Sequence, residues 1–248
     1  MAEVFIGTSG WNYEHWQAGI FYPENLPSRE ELRFYSEHFK TVELNASFYH
    51  LPKAETFDNW YTQTPDDFLF SVKASRFITH IKRLKDCRNP WNRFINNAKN
   101  LKEKLGPVLF QLPPRWKVDR ERLRDFVKIL DKKFKYVFEF RDSSWFCDEV
   151  YKILRRRNIA FCIADSPNLP SAEEITADFI YIRFHGSESL YSSKYTNKEL
   201  KNWAKKIEKF LKEGLDVYVY FNNDAYGYAV ENAREISQIL KGIIARER

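Results

Sequence analysis

The sequence predicts an α/β fold of the (β/α)8 TIM-barrel class, a single domain over residues 1–248 with its active site at the C-terminal mouth of the strands. Three observations predict it. Eight short apolar segments alternate with amphipathic ones along 248 residues, a length that one barrel fills. No linker interrupts them, because Gly numbers only 8 and no Ser- or Pro-rich run occurs. Several strands also turn polar at alternate positions near their C-terminal ends, as lumen-facing positions would. A doubly wound open sheet is the rival class, weakened because no GxGxxG or phosphate-binding loop follows a strand.

The first strand spans residues 4–8. A helix follows from Ser28, where Ser28-Arg29-Glu30-Glu31 has the spacing of a capping box. The second strand, residues 41–45, sets Val42 and Leu44 on one face and Glu43 and Asn45 on the other. The third covers residues 68–73, and His80 lies in the loop after it. A helix over residues 90–105 leads to the fourth strand, 107–111, whose following prolines Pro113 and Pro114 stiffen the loop. Residues 119–132 form the next helix. In the fifth strand, 136–141, Phe138 and Phe140 oppose Glu139 and Arg141. A helix over 144–157 precedes the sixth strand, 159–165. The seventh, 179–185, sets Ile180, Ile182 and Phe184 against Tyr181, Arg183 and His185. After a helix over 197–213, the eighth strand, 217–222, continues its polar parity through Asn222 to Asp224, and a helix over 227–244 closes the pattern.

Composition narrows the class of partner. The chain is 44% hydrophobic and 17% aromatic, enough for a large core and unlike a disordered segment. No apolar run is long enough to span a membrane, and the start, MAEVFIGTSGW, enters a strand directly without the regions of a signal peptide. The reading is therefore cytoplasmic. Cys87, Cys147 and Cys162 have no ligand spacing and read as free thiols. The net charge of +6 mildly favours anionic partners, a small molecule or nucleic acid. No obligate protein partner is inferred.

The strand ends gather the chemistry. They supply Glu43, Asn45, Lys73, Gln111, Glu139, Arg141, Asp165, Arg183, His185, Asn222, Asn223 and Asp224, with His80 just beyond the third strand. Buried charges are costly unless paired or used. A plug of mutually neutralising charges is one explanation; repetition at nearly every strand end exceeds what a plug requires. Arginine and lysine among the carboxylates suit a bound anion such as phosphate. One divalent ion is compatible with the pattern, and Glu43, Glu139, Asp165 and His185 are its candidate ligands; the metal itself is unknown. Aromatic residues flank these positions, including Trp11, Tyr13, Trp16, Phe48, Tyr49, Trp116, Trp145, Phe146, Tyr226 and Tyr228. Such rings can stack on bases or sugars, or merely pack under loops.

The ordered segments GTSGWNYEHW, FYPENL, VELNASFYHLP, FLFSVKASRFITH, GPVLFQLPP, FEFRDSSW, ADSP, YIRFHG and YFNNDAYGYAVENA together resemble the YecE-like family, also called domain of unknown function 72. The resemblance covers residues 6–240. It implies a TIM-barrel-like fold and no particular reaction. Carried over to this chain, it makes the thirteen strand-end residues named above site candidates, without a role for any.

The leading functional expectation is an enzyme acting on an anionic, phosphate-bearing substrate, with phosphodiester or nucleic-acid hydrolysis its most concrete form. Lys73, Arg141 and Arg183 would hold the anion. Asn45, His80, Gln111, Asn222, Asn223 and Asp224 would add binding contacts. Catalysis falls to Glu43, Glu139, Asp165 and His185, with Glu139 or Asp165 as base and His185 as acid. A divalent-metal-dependent sugar isomerase or lyase is one alternative, supported only by fold analogy. A non-catalytic nucleic-acid binder is the other; its affinity would fall steeply with salt.

Overall fold

The computed structural model describes residues 2–17, 19–167 and 169–246. Its elements in chain order are β1 (Val4–Thr8), α1 (Glu31–His38), β2 (Thr41–Leu44), α2 (Ala46–Tyr49), α3 (Ala54–Thr62), β3 (Leu69–Lys73), α4 (Arg88–Ala98), β4 (Leu105–Gln111), α5 (Arg120–Lys128), β5 (Tyr136–Glu139), α6 (Asp148–Arg155), β6 (Ile159–Asp165), β7 (Phe179–Phe184), α7 (Asn197–Lys212), β8 (Asp216–Phe221) and α8 (Tyr228–Arg246). Eight parallel strands and their intervening helices make this the α/β TIM-barrel class that the alternation predicts. Between β3 and α4 lies a short π-helix, Phe77–Ile81. Among the described residues, no helix is long and apolar enough to cross a membrane.

The chain divides into two compact units. The first comprises Met1–Val42, Ile163–Ser171 and Asp178–Arg248; the second comprises Glu43–Cys162 and Ala172–Ala177. In the first, the strand order is β1-β8-β7, followed by the C-terminal half of β6. Residues 4–8 pair in register with residues 217–221, and residues 179–184 with residues 216–221. Gly7 is required in β1, because a Cβ there would stand 2.1 Å from the Thr41 carbonyl oxygen. Helix α7 presents Leu200, Ala204, Ile207 and Phe210, a buried stripe at helical spacing. Its Trp203 meets Phe184 edge-on at 5.1 Å, and Phe184 stacks on Phe221 at 4.6 Å. The even-numbered residues of β7 thus face a helix, as the alternation of apolar residues requires.

Thr196 starts α7 with a full capping box. Its hydroxyl accepts from the Glu199 amide at 3.3 Å, while the Glu199 carboxylate accepts from the Thr196 amide at 2.7 Å. Thr196→Ala is expected to lower stability by about 1 kcal/mol in equilibrium denaturation, and Thr196→Ser to leave it nearly unchanged.

In the second unit the order is the N-terminal half of β6, then β5, β4, β3 and the end of β2. Phe110 of β4 is its packing centre. It meets Trp91 of α4 at 5.4 Å, Phe126 of α5 at 5.0 Å and Phe138 of β5 at 5.0 Å. The alternate positions of β4 and β5 are left for Gln111 and Glu139, which are register partners.

Several boundaries differ from the sequence reading. Asn45, Arg141, His185 and Asn222 fall one or two residues past their strands. The strand ladder nonetheless reaches them in places: the His185 amide donates to the Asp165 carbonyl at 2.9 Å, and the Asn222 amide to the Phe184 carbonyl at 2.8 Å. The helix expected over 90–105 stops at Ala98 and tightens into a 3-10 segment, Lys99–Lys104, with Lys102 outside helical geometry at φ 51°. The helix expected from Ser28 begins as a 3-10 turn, Ser28–Glu30, and no side-chain cap bond forms at the start of α1. Helix α3 was not expected. It is one of the short helices, nine residues with Phe57 as its only buried residue, so it carries little periodic signal.

Candidate functional site

Each unit carries its own cluster of the predicted residues. In the second unit β5 ends in Glu139, which is fully buried. Its Oε1 accepts from Gln111 Nε2 at 3.0 Å and from Arg141 Nε at 2.7 Å. The parallel register places Gln111 beside it, and the two-residue spacing brings Arg141 back to the same side. The Arg141 side chain is 13% exposed, so one guanidinium is held at the margin of the solvent by an inaccessible carboxylate. Glu43 is also fully buried at the end of β2.

Lys73, the last residue of β3, forms the other side of this cluster. Its Nζ stands 4.2 Å from the centroid of the Phe48 ring, a cation–π contact. The Phe48 ring meets His80 edge-on at 5.0 Å. Ser47 fixes α2 against β3 by donating to the Lys73 carbonyl at 2.7 Å. His80 sits on the π-helix, a rare element often found at functional positions. Thr79 Oγ1 lies 2.9 Å from its Nδ1. Burial, and after it the charges of Lys73, Arg141 and Arg76, hold the His80 imidazole down at about 4, while Glu139 pulls the other way. His80 is therefore neutral near pH 7, in surroundings with an excess of positive charge.

In the first unit Arg183 and His185 are fully buried on one side of β7. Arg183 Nη1 lies 3.5 Å from His185 Nε2, and Asn222 Nδ2 lies 3.1 Å from His185 Nδ1. Arginine only donates, so Nε2 is the acceptor of the first contact. The other expected residues of this unit have structural partners. The Asp165 carboxylate accepts from the Trp203 indole at 2.6 Å, tying β6 to α7. Asn223 donates to the Ser193 carbonyl and to Asn232 Oδ1 at 2.9 and 3.0 Å.

Asp224 has a partner that the sequence reading missed. It accepts from the Trp16 indole with both oxygens, at 3.0 and 2.9 Å, and stands 2.9 Å from His15 Nε2. His15 lies 209 positions away in sequence, and strand parity says nothing of a loop residue. Only its place in the segment GTSGWNYEHW could have drawn attention to it. None of the three cysteines is in a disulfide, and burial pushes Cys87 up to about 11, away from nucleophilic use. Among the described residues, no three His, Cys, Asp or Glu side chains gather as a metal-ligating group.

Comparison with known proteins agrees with this architecture. The family model described as "Protein of unknown function DUF72" matches residues 5–246. The chain is 27% identical to the UPF0759 protein YunF of Bacillus subtilis, over 96% of this chain and 94% of that protein. It is 28% identical to the UPF0759 protein YecE of Escherichia coli K12, over 84% and 82%. Among solved structures, a DUF72 family protein from Thermotoga maritima matches with a TM-score of 0.84 and 32% identity, covering 96% of this chain and 99% of that one. A DUF72 family protein from Enterococcus faecalis shares the fold, with a TM-score of 0.80 at 20% identity over 96% and 95%. With nearly its whole length matched by the family model and its fold shared with solved members, this chain belongs to the DUF72 family.

Proposed function

We propose that the strand ends of the second unit bind an anionic, phosphate-bearing substrate, and that the protein is an enzyme hydrolysing a phosphate ester there. The observation that carries the reading is the cationic surroundings of His80, where Lys73, Arg76 and Arg141 outweigh Glu139 in their effect on the imidazole. Lys73 and Arg141 hold the anion, Arg141 being aimed by Glu139 and Gln111. A bound phosphate offsets the three cations and raises the basicity of His80 toward neutrality. With Thr79 at Nδ1, Nε2 is left to take a proton from the attacking water as its oxygen bonds to phosphorus and the ester P–O bond breaks, the ester oxygen leaving as an alkoxide or phenolate that takes its proton from solvent. Three cysteines outside any disulfide suit a reducing compartment, so the same proposal puts the activity in the cytoplasm.

The test uses p-nitrophenyl phosphate and bis(p-nitrophenyl) phosphate with purified protein. His80→Ala is expected to lower turnover by about 100-fold, and Lys73→Ala to raise KM. Proton NMR should show the His80 titration moving upward from about 4 when inorganic phosphate is added. The reading is wrong if neither ester turns over and phosphate leaves His80 unmoved.

A further inference from the structure

Large apolar side chains left in water are not spread evenly over this molecule. Among the described residues six stand out, and three of them belong to the two short segments beside the cationic cluster: Tyr49 at 63% exposure, Phe77 at 45% and Ile81 at 62%. A single exposed ring needs no explanation. Three together on α2 and the π-helix do, because both segments also contain well-buried apolar residues, Phe48 and Ile78, which already satisfy local packing.

The contacts tie this rim to the cluster. Phe48 is the link: the Lys73 ammonium lies over its ring at 4.2 Å, His80 meets it edge-on at 5.0 Å, and the Tyr49 ring meets it at 5.1 Å with an interplanar angle of 90°. The Lys73 ammonium and the Tyr49 ring thus both contact the Phe48 ring, and the Tyr49 ring is open to solvent. Arg76, which is exposed, leads directly into Phe77. A ligand that matches both features has an anionic group for the lysine and arginines, and a flat π-surface one sugar's length away. Inorganic phosphate and sugar phosphates supply only the first. A purely apolar ligand supplies only the second.

We infer that the substrate is a nucleotide, free or at the end of a single strand, whose phosphate sits at Lys73 and Arg141 and whose base stacks on Tyr49. This rests on the phosphate reading of the same cluster and adds the base. Stacking on an aromatic side chain tolerates any base, since each has a π-face. Phe77 and Ile81, four residues apart on the π-helix, add exposed apolar surface to the same unit.

The experiment compares adenosine 5′-monophosphate with ribose 5-phosphate, which carries the same phosphate and sugar without the base, by titration calorimetry on the full chain. Wild type should bind the nucleotide more tightly by about 5- to 150-fold, the range that one base–aromatic stack supplies. Tyr49→Ala should abolish that preference and leave ribose 5-phosphate binding unchanged, and Tyr49→Phe should keep it. Tyr49 is exposed, so both variants are expected to melt like wild type, which thermal unfolding checks. A decathymidylate binding more tightly than thymidine 5′-monophosphate would identify a strand as the source of the nucleotide; equal binding would identify the free nucleotide. Equal affinity for the nucleotide and the sugar phosphate in wild type overturns the inference while sparing the phosphate site. Failure of both to bind overturns the phosphate site itself.

Discussion

Glu139→Ala should be the most damaging single substitution at the strand ends, lowering stability by about 3–5 kcal/mol. The carboxylate is fully buried and accepts from both Gln111 and Arg141. Truncation removes a charge that would have been costly to bury alone, and leaves a guanidinium, 13% exposed, without that partner. It also leaves the Gln111 amide without its bond to Glu139 Oε1, at a cost of about 1–3 kcal/mol if nothing replaces it. Glu139→Gln keeps the shape and one acceptor oxygen, so its loss should be roughly half as large. Urea denaturation should show the midpoint falling with the slope unchanged. The double variant Glu139→Leu/Arg141→Met separates pairing from desolvation. It should recover the share of the loss that comes from the stranded guanidinium, since an apolar pair of similar volume has no charge to strand. If the double variant is as unstable as Glu139→Ala, the pair is not what holds this end of β5.

The same residue shows what the sequence can and cannot reveal. That Glu139, Arg141 and Gln111 lie near one another follows from parity and a parallel neighbour, two rules with fixed geometry. Their hydrogen bonds then match what the alternation of Phe138 and Phe140 with Glu139 and Arg141 requires. Asp165 is different. Parity places it at a strand end, yet its carboxylate is taken by Trp203. No local pattern encodes which helix residue will reach it. His80 was identifiable as a candidate but not as a neutral imidazole, because its state depends on burial and on Lys73, Arg141 and Arg76, which converge only in three dimensions. The π-helix beneath it is equally hidden, since the sequence of residues 77–81 has no feature that separates five-residue from four-residue spacing. His15 was missed altogether. Its partner Asp224 lies at the far end of the chain, and only the pairing of β1 with β8 brings their loops together.

That pairing makes stability depend on pH in an unusual direction. Burial raises the Asp224 carboxyl to about 6, against the opposing effects of Trp16, His15 and the Ala229 amide. An acid whose folded value lies above its unfolded value near 3.9 binds protons more tightly in the native state. Its contribution is therefore fully present below about pH 4 and is lost as pH rises toward 6. A rise of two units corresponds to about 2–3 kcal/mol, since the side chain is only 10% exposed. His15 is 37% exposed, and Tyr22 and Tyr35 are both pushed upward, in part by Asp224 itself. Asp224→Asn keeps an acceptor for the Trp16 indole and loses only the carboxylate contact with the part-exposed His15, worth about 0–1 kcal/mol. The variant should match wild type near pH 4, and exceed it by about 2 kcal/mol at pH 7. Denaturant midpoints measured at intervals from pH 4 to 7 decide the matter. Parallel profiles for the two proteins would mean that ionised Asp224 is fully compensated by His15 and Trp16, and that burial costs it nothing. Profiles that diverge only above pH 4 would mean that the native loop holds a strained carboxylate, a cost that stability alone would not retain.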